Sequence, residues 1–230
     1  MTWQGLAEWW RVELAGDPAY EQEVAPLALD LLAPQRDWVV LDAGCGEGRM
    51  LPLLQATGAV AVGLDSEASL LATARRFGPV VLTHLPDLGC FAGEVFDGVI
   101  VSLVLEHLDE AQAFFVETAR VTRPGGVLAL VINHPTFTAP GSAPIQEPDE
   151  VLWRPGRYFS RGYTDEPAGE GTVRFHHRPV GELLTLASDA GWDLRRLEER
   201  GVTEAQVARH PPLAEQRHIP RLLGARWVRR

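Results

Sequence analysis

Apolar positions along this chain follow two rhythms. Short, continuously apolar runs alternate with segments whose apolar residues recur at helical spacing. The runs are Trp38–Leu41, Ala59–Leu64, Val80–Leu82, Phe96–Val104 and Val127–Ile132. Between them, residues 50–56, 67–77 and 109–121 read as helices, with Ser66 as the cap of the second. Pro124-Gly125-Gly126 reads as the turn that delivers the fifth run. Ahead of the first run, Trp3, Leu6, Trp9, Trp10 and Leu14 share helical spacing. Asp17-Pro18 then has the form of an N-cap followed by Pro at the first helical position. That helix passes through Tyr20, Val24, Leu27 and Leu31, and Pro26 kinks or restarts it.

Continuously apolar strands that alternate with helices predict an α/β fold, a Rossmann-like doubly wound sheet with helices on both faces. Right-handed crossovers bring the C-terminal strand ends to one edge, where ligands of such sheets bind. Asp42, Asp65, His84 and the stretch Ser102 to His107 lie just past strand ends and should converge there. From Asn133 to His176 the rhythm breaks. Six prolines and the aromatics Phe137, Trp153, Tyr158, Phe159 and Tyr163 interrupt it. A long loop of this kind in a compact domain reads as a lid. Regular structure resumes with a helix over 179–190 and strands over 192–197 and 222–228, expected to form an antiparallel hairpin joined by residues 201–220. The chain therefore reads as one domain, 1–230, with a helical cap over 1–34 and a lid or substrate segment over 133–176.

Composition narrows the function classes. The chain carries a formal net charge of -10, and all 21 of its strongly basic residues are Arg. Residues 1–115 hold 5 Arg against 17 acids. Such an acidic front half argues against a nucleic-acid partner. No apolar run is long enough to span a bilayer, so no membrane partner is expected. The first residues show no basic and apolar leader, and Cys45 and Cys90 are too few for a disulfide framework; both point to the cytoplasm. Oligomeric state is not legible.

The first run ends in Leu41-Asp42-Ala43-Gly44-Cys45-Gly46-Glu47-Gly48-Arg49. Glycines here let the backbone approach a ligand at a helix N-terminus. Their spacing is not the G-x-G-x-x-G of dinucleotide enzymes, because Arg49 stands where the third glycine belongs. The preceding acid, Asp42, suits a ligand with ammonium or sulfonium charge better than a pyrophosphate. This turn resembles motif I of the class I S-adenosylmethionine-dependent methyltransferases. Gly63-Leu64-Asp65-Ser66, the helix Ser69 to Arg75, Phe96 to Val101 with Leu105-Glu106-His107-Leu108, Arg120 to Gly126, and His177-Arg178-Pro179 followed by Ala190-Gly191-Trp192 resemble its later segments in order. The resemblance runs over residues 17 to 229 and points to the small-molecule branch.

That resemblance implies S-adenosylmethionine as cofactor and a small-molecule substrate. It assigns Asp65 to the ribose hydroxyls, with helix capping as the plain alternative. Gly44, Cys45 and Gly46 form the cradle, Ser66 follows the ribose acid, and Ser102 and Leu103 line the methionine part. Asp42 orients the turn or accepts from the ammonium group. Arg49 meets the cofactor carboxylate or is a surface Arg. Tyr20 closes over the cofactor or packs in the core. The family's usual acid for adenine is replaced by Thr83-His84-Leu85, leaving His84, the Leu85 backbone, or Asp87 to serve the ring.

Methyl transfer to oxygen or nitrogen needs alignment, exclusion of water and removal of a proton. Among Glu106, His107, His134, His176 and His177, His134 ranks first as base because it follows the fifth strand, and His107 second. Trp153, Tyr158, His177 and Arg178 are the candidate substrate contacts. Arg178 either clamps an acidic substrate or anchors its segment. No metal site is expected. Two other readings stay open: a non-catalytic binding module for the cofactor or its product with a regulatory role, and a nicotinamide-dependent reductase.

Overall fold

The computed structural model describes residues 6–16, 18–147, 151–209 and 211–230. Trp3 and the Asp17 cap lie outside them. Helix α1 (Ala7–Gly16) opens the chain, and a π-helical turn, Tyr20–Val24, leads into α2 (Ala25–Leu32). Pro26 lies in the first turn of α2. A proline has no N–H to give to a preceding turn, so a new helix starts there instead of the old one continuing.

Next come β1 (Val39–Ala43), α3 (Met50–Ala56), β2 (Val60–Asp65), α4 (Ala68–Ala74), β3 (Val80–Leu82), β4 (Phe96–Ser102), α5 (Ala111–Val121) and β5 (Thr122–Asn133). The C-terminal part holds α7 (Val180–Asp189), β10 (Trp192–Arg200) and β11 (Leu222–Arg229), with α6 and β6 to β9 in the segment between and a short helix, α8 (Glu204–Arg209), before β11. Seven strands form one sheet in the order β10-β11-β5-β4-β1-β2-β3. Strands β1 to β5 are parallel, and β11 runs antiparallel between β5 and β10. The mostly parallel doubly wound sheet with an antiparallel C-terminal hairpin is thus present as expected.

The strands alternate strictly between two cores. Along β5, Val127, Ala129 and Val131 join α2, α3 and α4 on one face, while Leu128, Leu130 and Ile132 join α5 and α7 on the other. A period of two sends successive side chains to opposite faces, so a strand apolar at every position must be covered twice. Trp192 and Trp227 are fully buried at the hairpin end, and Trp192 Nε1 donates to the Phe115 carbonyl at 3.1 Å.

Three local expectations change. The cap of α4 is Glu67, whose carboxylate accepts the Ser69 N–H at 3.1 Å, not Ser66. Pro124-Gly125-Gly126 lies within β5, where the pairing with β4 shifts register between Phe96 and Gly98. The expected irregular loop after β5 is instead a short helix, α6 (Pro135–Thr138), and two antiparallel hairpins, β6 (Ala143–Gln146) with β7 (Val151–Arg154) and β8 (Gly162–Ala168) with β9 (Gly171–His177). The many prolines hid the alternation that would have announced these strands; Pro144 and Pro167 sit inside them. Leu6 and Trp9 of the N-terminal segment pack on Ala168, Val173 and Phe175 of the second hairpin.

Candidate active site at the sheet edge

A cavity of about 470 Å³ opens at the C-terminal ends of β1, β2, β3 and β4, where the strand order reverses between β1 and β4. It is within the range of small-molecule sites. Its walls include Tyr20, Gly44, Cys45, Gly46, Arg49, Asp65, Ser66, His84, Leu85, Ser102, Leu103 and His107, all anticipated. They also include Trp10, Glu47, Leu108, Asp109 and Glu110, which were not.

The glycine turn is tied to the end of β2. The N–H groups of Gly44 and Cys45 both donate to the Leu64 carbonyl at 2.8 Å. Gly44 has φ +85°, and a Cβ there would stand 2.4 Å from Val104 Cγ2. Gly46 has φ +53° with nothing within 4 Å of a Cβ position, so any side chain there would project into open space at the cavity wall. Both positions therefore demand glycine, one for packing and one to keep the space open.

Asp65 ends β2. Its Oδ2 accepts the Gly46 N–H and its Oδ1 the Glu67 N–H, each at 2.9 Å. Burial raises its pKa, and the backbone N–H bonds oppose that rise. A carboxylate oxygen has a second lone pair, so each remains able to accept a hydroxyl proton from a ligand. The helix-capping alternative is half right, because Oδ1 supports the start of α4.

Asp42 is 4% exposed and does not line the cavity. Burial first, and then the Asp65 carboxylate, push its pKa up to about 8. Its Oδ2 has no hydrogen-bond partner. It therefore belongs behind the turn and is not placed to meet a ligand's ammonium. Burial also raises the Cys45 thiol and the Tyr20 phenol, so neither is a nucleophile at neutral pH. Arg49 bridges to Glu21 at 3.2 Å and lies over the Tyr20 ring at 5.5 Å. Asp87 accepts the Gly89 N–H and stands off the cavity, leaving His84 and its neighbours on the β3 side.

The far wall follows β4. Leu103 has φ +58°, strained for a residue with a Cβ, and its N–H donates to the Val131 carbonyl at 2.7 Å. The Ser102 Oγ is buried without a partner. A one-turn helix, Leu105–His107, follows. His107 Nδ1 lies 2.8 Å from the Arg174 carbonyl, and its ring packs 4.7 Å from Phe175. Buried Glu106 accepts from the backbone and side-chain amides of Asn133, both at 3.1 Å.

The structure does not bring the first-ranked base to the cavity. His134 is 3% exposed and absent from the lining. Its Nε2 meets Glu199 at 2.7 Å, and its Nδ1 accepts the Thr136 N–H, making it the N-cap of α6. Burial lowers its pKa against the pull of Glu199. The four anticipated substrate contacts are also elsewhere. Trp153 stacks on Phe137 and donates to the Thr136 carbonyl. The Tyr158 hydroxyl accepts the Val180 N–H, and buried His177 bonds the Tyr158 carbonyl. Arg178 donates to backbone carbonyls and does not reach the cavity. Trp10 was visible as a helically spaced tryptophan without a site attached. The Arg174 carbonyl is backbone and leaves no trace in residue identity.

The cavity fits S-adenosylmethionine on three observations: an open glycine cradle, a buried carboxylate with acceptor capacity left, and an orphaned serine hydroxyl on the opposite wall. Among the described residues no cluster suited to a metal ion is present, and no helix is long and apolar enough to cross a membrane.

A family profile described as a methyltransferase domain matches residues 41–130, the segment from the glycine turn through β5. The chain is 27% identical over 178 residues to a ubiquinone biosynthesis O-methyltransferase of Brucella ovis, spanning 73% of this chain and 64% of that protein's length. A namesake from Parvibaculum lavamentivorans is 29% identical over 185 residues, or 77% of this chain and 68% of its own. Among solved structures, an S-adenosylmethionine-dependent methyltransferase from Mesorhizobium loti superposes with TM-score 0.78 at 26% identity, covering 94% of this chain and all of that one. The motif order, the sheet topology, the cavity at its switch point and these likenesses all support one assignment, a class I S-adenosylmethionine-dependent methyltransferase.

Proposed function

We propose that this protein transfers the methyl group of S-adenosylmethionine to an oxygen of a small-molecule acceptor, with His107 as the base. The observation that carries the reading is that one cavity holds the glycine turn, Asp65 and His107 on adjoining walls. The names of the O-methyltransferase relatives favour oxygen over nitrogen. When bound, the cofactor supplies an electrophilic sulfonium methyl group.

The residues divide the remaining work. Gly44 and Gly46 admit the ligand backbone-first, Asp65 accepts the ribose hydroxyls, and the Thr83 to Leu85 edge flanks the adenine. Tyr20 and Trp10 cover the cavity and exclude water. A carbonyl oxygen only accepts, so Nδ1 of neutral His107 carries the proton given to Arg174, and Nε2 is the basic nitrogen. A neutral imidazole so oriented takes the acceptor's hydroxyl proton as the oxygen attacks.

Titration calorimetry with S-adenosylmethionine, S-adenosylhomocysteine and NADH, followed by a radiolabelled methyl-transfer screen over phenols, alcohols and amines, tests this. Micromolar binding of the first two with label on a phenol or alcohol is the expected result. Label only on amines overturns the choice of oxygen. Binding without transfer to any acceptor returns the protein to the binding-module reading.

A further inference from the structure

The motif His177-Arg178-Pro179 has no place in the cavity, yet its arginine is almost buried at 9% exposure. What it holds is informative. Arg178 Nη1 donates to the Leu105 carbonyl at 3.3 Å, and Nη2 donates to the carbonyls of Leu108 and, at 2.8 Å, Asp109. These three carbonyls bracket His107. Two further contacts come from the same stretch: the Arg174 carbonyl accepts from His107 Nδ1, and His176 Nδ1 lies 3.4 Å from Asp109 Oδ1. Residues 174–178 thus grip residues 105–109 at both ends and in the middle.

We infer that Arg178 is a positioning residue for His107: its guanidinium fixes the turn after β4 so that the imidazole meets the Arg174 carbonyl and presents Nε2 as its basic nitrogen. The inference rests on the reading of His107 as the base. The physical reason for arginine is its planar fork of five donors, which can reach several backbone carbonyls on both sides of one residue at once. Lysine reaches as a single point and cannot bridge carbonyls on both sides of His107. The arginine is itself held in place. Its neighbour His177 is 1% exposed, donates from Nε2 to the Tyr158 carbonyl at 2.7 Å, and has Nδ1 3.2 Å from the Thr138 hydroxyl. Pro179 then begins the turn into α7. The same geometry disposes of an acidic-substrate clamp, since the guanidinium is spent on backbone oxygens and Arg178 does not itself line the cavity.

The test reads the imidazole directly and needs no acceptor. Protein labelled with ¹⁵N in histidine is examined by long-range proton–nitrogen correlation at a pH above the ordinary imidazole range, in wild type, Arg178→Lys and Arg178→Ala, with His107→Gln to assign the signal. Wild type should show His107 as the Nδ1–H tautomer. Both Arg178 variants should show a mixture shifted toward the Nε2–H form, while affinity for S-adenosylmethionine stays within about threefold. Guanidinium ion at millimolar concentration should restore the wild-type signal in Arg178→Ala. An Nε2–H tautomer in wild type, or an unchanged Nδ1–H tautomer in either variant with normal cofactor binding, overturns the inference. Should Arg178→Ala fail to fold, Arg178→Lys carries the same test. Once an acceptor is known, Arg178→Ala should lower kcat by roughly ten- to a hundredfold at unchanged KM for S-adenosylmethionine. Absence of any methyl transfer would sink the proposed activity and leave the tautomer result standing.

Discussion

The two regions that build this site work by different means. Residues 39–66 touch the cavity directly, through a glycine turn with backbone N–H groups fixed to Leu64 and a carboxylate at the end of β2. The described residues of 133–178 do not line the cavity, yet they hold the turn that carries His107. The difference teaches that a binding site divides into parts that meet the ligand and parts that fix those parts. Substituting a residue of the first kind should change what is bound. Substituting one of the second should change what is aligned or how firmly the chain folds.

The largest expected effect breaks the comparison at its histidines. His107→Gln should lower kcat by about 10²–10⁴-fold with cofactor affinity unchanged, the range for loss of a general base. His134→Gln should leave kcat near wild type and cost roughly 1 kcal/mol of stability, as loss of a helix cap does. Steady-state kinetics with an acceptor from the screen and urea unfolding of both variants distinguish the two roles. A collapse of kcat in His134→Gln with normal folding would return the base to the end of β5.

Next comes Asp65→Ala. The substitution removes a charged acceptor for a ligand and frees the Gly46 N–H. Hydrogen bonds to charged groups contribute about 1.5–3 kcal/mol each, so S-adenosylmethionine affinity by calorimetry should fall by roughly a hundredfold or more. An affinity within about tenfold of wild type would mean that the turn, not the carboxylate, supplies most of the binding.

The same contrast explains what was legible in the sequence. The sheet and the cofactor side announce themselves because their function is encoded in residue type: glycine where φ is positive, an acid at a strand end, apolar strands of fixed length. His107 was visible as a residue, but its standing depended on a backbone oxygen of Arg174, 67 positions away. His134 misled because its place after a strand resembled that of a base, while Glu199 and Thr136, which occupy its two nitrogens, cannot be paired with it from the sequence. The aromatics and prolines between 133 and 176 suggested a loose lid. Cross-strand pairing such as Ile145 with Leu152 and Arg174 with Asp165 appears only when the chain folds back on itself.

Behind the glycine turn, Asp42 offers a pH test confined to the cofactor side. Its pKa is raised from the ordinary 3.8 to about 8. The folded state therefore binds this proton more tightly than the unfolded state, and stability falls as pH rises from about 4 to about 8. Asp42→Asn has no such proton to lose. The stability of wild type relative to Asp42→Asn should decline across that window by an amount on the order of a few kcal/mol, measured by urea unfolding at a series of pH values. A constant difference would show that Asp42 is ionised in the fold and has found a partner.

The smallest effect concerns strain. Among the described residues, Leu103 is the cavity-lining residue other than glycine that holds a positive φ, at +58°, while residues 133–177 hold positive φ at glycines alone. A left-handed conformation costs a residue with a Cβ about 1–2 kcal/mol, a cost that glycine escapes. Leu103→Ala and Leu103→Gly both lose the leucine's packing against the helices on its face of the sheet. They differ in strain, so the glycine variant should be the more stable by about 1 kcal/mol. At Leu152 in β7, where the backbone is an ordinary strand, the order should reverse, with the glycine variant weaker by roughly 0.5–1 kcal/mol. Urea unfolding of the four variants measures both differences. Opposite signs at the two positions would locate stored strain on the wall that faces the ligand and not in the hairpins that support it. Equal signs would mean that the β4 exit relaxes to ordinary backbone whenever the leucine is removed, making the side chain the cause of the conformation and not its cost.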